Sequence, residues 1–492
     1  MLQIAFVSSE ISPFATTGRA GEICGLLTDA LHERGAKVTR FMPLYRRIME
    51  GPHPVEDTGI RLSIPVGFHR YQADIWKARG NHHPETYFIR RDEFFDRSEL
   101  YSLSDRDYDD NFERFIFFQK AVTCLIDHLG QPFDIVHAHD WQTGLLPLYL
   151  SHGMSGEGRS RREKVVFSVH DLERQGVFNG DYYSYTNLPF SCFSLDLLEY
   201  YGDVNCLKGG ITTTDALVLP SPGYAREVQE PSLGHGLHGV FRDRSFKTSG
   251  IVNGVDYSRW NPEKDQIIAR RYCADDVTAK AACKDDLLRR IKLKLNPDAP
   301  LIVMITRMIP DKGIELVGQA LSGIVESAGA GFILMGCGPS HEIMDSASDW
   351  SKQWPGRVAV KVGCDEKLHH RLLAGADMLL VPAKTEPCGS NHLIALRYGT
   401  IPIVRRTGGL ADTVKDADEN PGVGTGFIFD GYDPQSMTSA ISRAIDVFQQ
   451  EPNRWQEIMS RGMSIDFSWQ QVAGEYIKLY RRLLGRGDAN IA

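Results

Sequence analysis

Short apolar runs of strand length alternate with helical patterns along most of this chain, and that alternation limits the possible folds more than any other feature. In the second half the runs fall at 301–306, 331–336, 357–362, 378–381 and 401–404, with apolar residues at helical spacing between them. A strand–helix–strand order joins neighbours that run parallel. The first half opens the same way: residues 2–7 read as a strand, a glycine-containing loop follows, Ile23 to Leu31 continues as a helix, and Ala36 to Phe41 as a second strand. Similar units recur at Ile135–Val136, Val165 to Val169 and Ala216 to Leu219. At 492 residues the chain exceeds one hydrophobic core. The expected class is α/β, with two Rossmann-like domains meeting near 245–255, where Arg242–Asp243–Arg244–Ser245 gives way to Gly250–Ile251–Val252–Asn253–Gly254.

Two loops at predicted strand ends carry candidate chemistry. After the strand Met378–Val381 comes Ala383–Lys384–Thr385–Glu386–Pro387–Cys388–Gly389, then Ser390–Asn391–His392 and a helical pattern. Glu386 can accept hydrogen bonds from sugar hydroxyls, and backbone N–H groups at Gly389, Ser390 and Asn391 can hold an anionic or hydroxyl-rich ligand. Alone, Glu–Pro–Cys–Gly is equally a plain turn. The strand 301–306 runs into Arg307–Met308–Ile309–Pro310–Asp311–Lys312–Gly313. Arg307 and Lys312 form a compact cationic clamp suited to a diphosphate, both in the ground state and as leaving-group charge develops. A solvated basic loop is the bland alternative. Carboxylate and clamp on strand ends of one sheet together favour a nucleotide-sugar site.

Composition excludes other classes. Apolar residues make up 42% and charged residues 24%, with a formal net charge of −8, which argues against a nucleic-acid binder and means that an anionic ligand needs locally concentrated positive charge. No apolar run approaches a membrane span, and residues 1–7 lack a secretory signal's basic region and cleavage pattern. The nine cysteines are scattered, without ligand spacing, so reduced thiols in a cytoplasm and no metal site are expected. Cys388 has no obvious base beside it and reads as packing.

These motifs, taken in order with others, resemble bacterial glycogen synthases and plant starch synthases, glycosyltransferase family 5. The likeness includes Ser9–Glu10–Ile11–Ser12–Pro13–Phe14, Asp110 to Phe115, and His137–Ala138–His139–Asp140–Trp141–Gln142–Thr143–Gly144. It continues through His170–Asp171–Leu172–Glu173–Arg174–Gln175–Gly176–Val177–Phe178, Lys208 to Ile211, Ser221 to Glu227, Asn253–Gly254–Val255–Asp256, Arg405 to Thr413 and Asp466 to Trp469. The resemblance implies a GT-B fold with two Rossmann-like domains facing across a cleft. The N-terminal acceptor-side domain would span 1–245, the C-terminal donor-side domain 246–465, and a helix in 466–492 would pack back on the first. It implies transfer of glucose from ADP-glucose to the non-reducing end of an α-1,4-glucan with retention, without metal or other cofactor, and no nucleic-acid or membrane partner. Same-face attack and double displacement both remain open, as does UDP-glucose in place of ADP-glucose.

By the same resemblance, Arg307 and Lys312 bind the diphosphate, Glu386 the donor sugar, and His170 lies at the reaction centre. Thr16, Gly18 and Glu22 line the first loop. His139 supports acceptor binding through a hydrogen-bonded His–Asp pair with Asp140, while Asp171, Asn253, Cys388, Gly408 and Gly409 line the pocket. The chain departs from the family where Lys–Thr–Gly–Gly–Leu–(Ala/Gly)–Asp–Val is usual and Thr16–Thr17–Gly18–Arg19–Ala20–Gly21–Glu22–Ile23 stands instead. Thr16 removes a phosphate-binding lysine, and Arg19 adds a cation three residues away. Asp171 replaces an asparagine, and Ser390–Asn391–His392 replaces a Leu–Thr–Gln type sequence. These changes imply either a retuned enzyme with another donor or acceptor, or a glucan-binding homologue without transfer.

Overall fold

The computed structural model describes residues 1–486 apart from 81–83, 104–105, 157, 160–161, 297, 328 and 339. The chain divides into two units, one of Met1–Pro220, Ala225–Ile251 and Trp469–Ala492, the other of Ser221–Tyr224 and Val252–Ser468. The main sheet of the first unit is built from β1 (Gln3–Val7), β2 (Lys37–Pro43), β3 (Val55–Val66), β4 (His69–Ala78), β5 (Glu85–Arg90), β6 (Ile135–His139), β7 (Lys164–Ser168), β8 (Ala216–Leu219) and β9 (Thr248–Gly250). They form one sheet in the order β9-β8-β7-β6-β1-β2-β5-β4-β3. Ile4, Ala5, Phe6 and Val7 of β1 have no solvent exposure, as a strand covered on both faces requires.

The expected parallel pairing holds from β9 through β5, whereas β3 and β4 run antiparallel at one edge. A two-residue connection, Gly67–Phe68, joins β3 to β4, with Gly67 at φ +58°. That left-handed conformation matches the twist of a tight hairpin. The α1 helix (Arg19–Glu33) starts four residues before the expected Ile23, and the last helix of the unit, Trp469–Leu483, packs beside it. Tyr480 Oη and His137 Nδ1, 2.8 Å apart, tie that helix to β6.

Six strands build the second unit: β10 (Leu301–Arg307), β11 (Gly331–Cys337), β12 (Val358–Val362), β13 (Met378–Val381), β14 (Ile401–Arg405) and β15 (Phe427–Phe429). All pairs are parallel, in the order β12-β11-β10-β13-β14-β15. Cys337 at the end of β11 is bonded to Cys364 just past β12, their Cα atoms 5.8 Å apart, which corrects the expectation of nine reduced thiols. The partners are 27 residues apart in sequence, and only the β11–β12 register, with Gly336 against Val362, brings them together. The other seven cysteines form no disulfide.

In each sheet the strand order reverses once beside a central strand. The chain leaves β1 toward β2 and returns on its other side at β6; it leaves β10 toward β11 and returns at β13. Open α/β sheets bind ligands at the carboxyl ends of the strands flanking such a reversal.

Candidate active site

At the reversal in the second unit, the loops after β10 and β13 interlock. Asp311 and Gly313 take left-handed conformations, φ +65° and +77°. A Cβ on Gly313 would lie 2.4 Å from the Pro382 carbonyl oxygen, so only glycine lets the two loops approach. The Lys384 N–H donates to the Asp311 carbonyl at 2.8 Å. As a result Lys312 Nζ sits 2.9 Å from Glu386 Oε2, with 14% and 20% of the two side chains exposed. Two charges nominated from separate motifs are thus one partly buried ion pair. Arg307, on the last residue of β10, is exposed and engaged in no ion pair among the described residues.

The turn after Glu386 is shaped by close backbone approach. Gly389 has φ +74°, and a Cβ there would meet His392 Nδ1 at 2.9 Å and Glu386 Cγ at 3.1 Å. Asn391 Nδ2 donates to the Ile305 carbonyl at 2.8 Å, fixing the helix Asn391–Arg397 to β10, while Ser390 precedes that helix and makes no side-chain cap. The Gly409 N–H donates to the Glu386 carbonyl at 3.1 Å, and a Cβ on Gly409 would fall 2.4 Å from the Cys388 carbonyl oxygen. Gly408 has φ +42°. The buried Cys388 receives the Asn253 N–H on its sulfur at 3.3 Å. Lys312 thus meets the Glu386 carboxylate, Gly389 approaches its side chain and Gly409 holds its carbonyl, with Cys388 and Asn253 packed behind.

In the first unit the loop after β1 is organised by Glu10, which the sequence reading passed over as a site residue. Its carboxylate accepts from Thr17 N–H, from Thr17 Oγ1 at 2.8 Å and from Tyr101 Oη at 2.8 Å. Thr16 Oγ1 donates to the Gly18 carbonyl at 2.6 Å, and Arg47 Nη1 holds the Thr16 carbonyl at 3.0 Å. Gly18 precedes the first turn of α1, from which Arg19 and Glu22 project into solvent. Arg19 thus stands on an open helix N-terminus beside Thr16.

His170 follows β7, and its Nε2 lies 3.0 Å from His139 Nδ1 on β6, the rings parallel within 2°. The expected His139–Asp140 pair is therefore corrected: His139 bonds to His170. Asp140 instead accepts the His170 backbone N–H at 2.7 Å. Asp140 was missed as an anchor because its role needs φ +57°, a conformation that its sequence does not announce. Burial pushes its carboxyl up to about 7 despite that N–H, and the nearby Asp171 charge raises it further. Burial also holds His170 down at about 4 and His139 well below the usual imidazole range, so both rings are neutral at pH 7. Asp171 is exposed, with Oδ1 accepting the Glu173 N–H at 2.9 Å, a turn contact. Gly176, φ +61°, passes so close to Trp141 that a Cβ would lie 2.4 Å from its ring. Cys24, His139 and His170 also place one ligand atom each within 4.8 Å of one another. The three come from α1, β6 and the loop after β7, which no linear spacing reveals.

Two Rossmann-like α/β units, each with its polar constellation at a strand-order reversal, define a two-domain glycosyltransferase of the GT-B class. Residues 3–243 match the family model of the starch synthase catalytic domain, and 287–458 that of glycosyl transferases group 1. Glycogen synthases of Syntrophotalea carbinolica and Thermodesulfovibrio yellowstonii are 36% and 37% identical over 98% and 99% of this chain and 99% of their own. The catalytic domain of starch synthase IV from Arabidopsis thaliana, solved with ADP and acarbose bound, superposes with a TM-score of 0.86 at 30% identity, covering 99% of this chain and all of that one. The chain belongs to the glycogen and starch synthase family. Among the described residues no helix is long and apolar enough to cross a membrane.

Proposed function

We propose that this protein transfers glucose from ADP-glucose to the non-reducing end of an α-1,4-glucan, with retention at the anomeric carbon, in the cytoplasm. The observation that carries the proposal is the Lys312–Glu386 pair with Arg307 at the same strand-order reversal. A cation and a carboxylate in contact can divide a nucleotide-sugar between them: Lys312 and Arg307 meet the diphosphate, Glu386 the sugar hydroxyls. Charge developing on the departing diphosphate then finds fixed donors already in place. The second unit takes the donor and the first the acceptor.

Neutral His170 offers a hydrogen bond to a sugar hydroxyl without adding charge. The carboxyl beside it, Asp140, is committed to backbone N–H groups. That commitment favours same-face displacement, in which the leaving diphosphate takes the acceptor's proton, over attack by a protein carboxylate. Asn253, Cys388, Gly408 and Gly409 shape the donor pocket, Gly389, Ser390 and Asn391 present backbone N–H groups to it, and Thr16, Gly18, Glu22, His139 and Asp171 line or support the first-unit side.

The test is glucose incorporation into glycogen with ADP-glucose and UDP-glucose supplied separately. Transfer from ADP-glucose is expected; transfer only from UDP-glucose would overturn the donor assignment, and none from either would overturn the activity. A retuned site is the second reading, favoured by Thr16 and the solvent-facing Arg19. Thr16→Lys with Arg19→Gly rebuilds the family signature: loss of an existing activity supports retuning, and gain from zero supports a natural form without transfer.

A further inference from the structure

We propose that Cys24, His139 and His170 form a binding site for a thiophilic divalent cation such as Zn2+, and that occupation of this site shuts off glucosyl transfer. The inference rests on the proposed function only where it gives His170 a part in transfer; the site itself stands on the three side chains. Thiolate and two imidazoles are a donor set that selects zinc-like ions over Mg2+ or Ca2+. The three atoms already lie within 4.8 Å of one another. In a tetrahedral zinc site neighbouring ligand atoms stand about 3.3–3.6 Å apart. The two imidazole nitrogens are at 3.0 Å and hydrogen-bonded to each other, so closure requires the partly exposed His170 ring to turn until both lone pairs face the ion.

The surroundings suit a cation. Cys24 and His139 are buried, and burial, with the Asp140 and Glu10 carboxyls adding to it, pushes the Cys24 thiol far up, so a bound ion has to displace a firmly held proton while the two carboxyls favour the ion's own charge. His137, two residues from His139, has both ring nitrogens engaged, by Ser168 Oγ and Tyr480 Oη at 2.8 Å each, and is therefore not a candidate ligand.

On binding, the Cys24 thiol loses one proton to solvent. The proton shared between the two rings moves to the other nitrogen of whichever ring carries it, so one H+ is released per ion. Three protein ligands leave a fourth position for water. His170, held on the metal, no longer meets the sugar, and inhibition follows.

The experiment titrates Co2+ into chelator-stripped full-length protein and reads the thiolate-to-cobalt charge-transfer band, alongside transfer rates in increasing Zn2+. One equivalent of Co2+ with a thiolate band is expected, lost in Cys24→Ser, with half-inhibition by Zn2+ shifted at least about tenfold upward in that variant. Mg2+ should compete with neither. Because Cys24 is buried, the far-ultraviolet circular dichroism of Cys24→Ser is recorded, and His170→Ala provides a second variant that must lose the band. A band absent from the wild type, or unchanged in folded Cys24→Ser, overturns the site. Cobalt binding is read without substrate, so a failed transfer assay and a failed metal site are separate results.

Discussion

Replacing Lys312 and Glu386 singly and together tests whether the pair works as a unit. The Nζ–Oε2 separation is 2.9 Å and both side chains are mostly buried, so truncating either partner leaves the other partly desolvated. Removing one preorganised group that meets developing charge costs about 2.7–4 kcal/mol of transition-state stabilisation, about 10²–10³ in rate. Independent losses would multiply to about 10⁴–10⁶ in the double variant. In this structure the first truncation already breaks the contact, so the second has less left to remove. We expect Lys312→Ala and Glu386→Ala each to lower kcat/KM for glucose incorporation into glycogen by at least about 100-fold, with a coupling energy of about 1–3 kcal/mol between them. Circular dichroism and thermal midpoints on the same preparations separate lost chemistry from lost fold. Additivity to within about 0.5 kcal/mol would refute the paired role, and near wild-type rates in both single variants would refute the donor-site assignment.

Three further outcomes follow from particular contacts. His170 has its folded-state imidazole depressed to about 4 from 6.5, so as pH falls from about 6.5 toward 4 the unfolded chain takes up a proton that the folded protein refuses. Stability should drop across that window by at most on the order of 3 kcal/mol from this residue; urea midpoints at pH 7 and 5 measure it, and a His170→Ala variant with an unchanged pH slope would contradict it. Gly176→Ala should destabilise by about 1–3 kcal/mol, because its Cβ would overlap Trp141 and φ is +61°; an unchanged thermal midpoint would show that the Trp141 ring yields freely. Thiol titration of the unfolded, unreduced protein should count seven groups, rising to nine on reduction. Nine before reduction would mean that Cys337 and Cys364 are not bonded.

Five of the six strands of the second sheet were legible almost residue for residue, since they are short runs with a continuous apolar signal, whereas β15, three residues long at the sheet edge, was not read. In the first sheet β1, β2, β6, β7 and β8 were legible, and β3, β4, β5 and β9 were not. β3 and β4 carry a weaker pattern, half-buried and interrupted by charge, although Gly67–Phe68 between two extended runs was a readable hairpin signal. Arg307, Lys312 and Glu386 could be nominated from sequence because charged residues at strand ends stand out locally. That Lys312 and Glu386 touch was not readable, since it depends on β10 and β13 being neighbours across a strand-order reversal.

What the sequence determined alone is the alternation of elements, the two-domain α/β class and the motifs that mark the family. Those properties reside in local periodicity and in the order of short segments, which survive without coordinates. Tertiary structure alone decided who meets whom: His139 with His170 instead of Asp140, Cys337 with Cys364, Glu10 with Thr17 and Tyr101, and Cys24 with two histidines. Apart from Glu10 and Thr17, which share the loop after β1, each of these pairings joins side chains from separate strands, helices or loops. The distance between such atoms is set by sheet register and backbone turns such as Asp140, quantities that no single stretch of chain encodes.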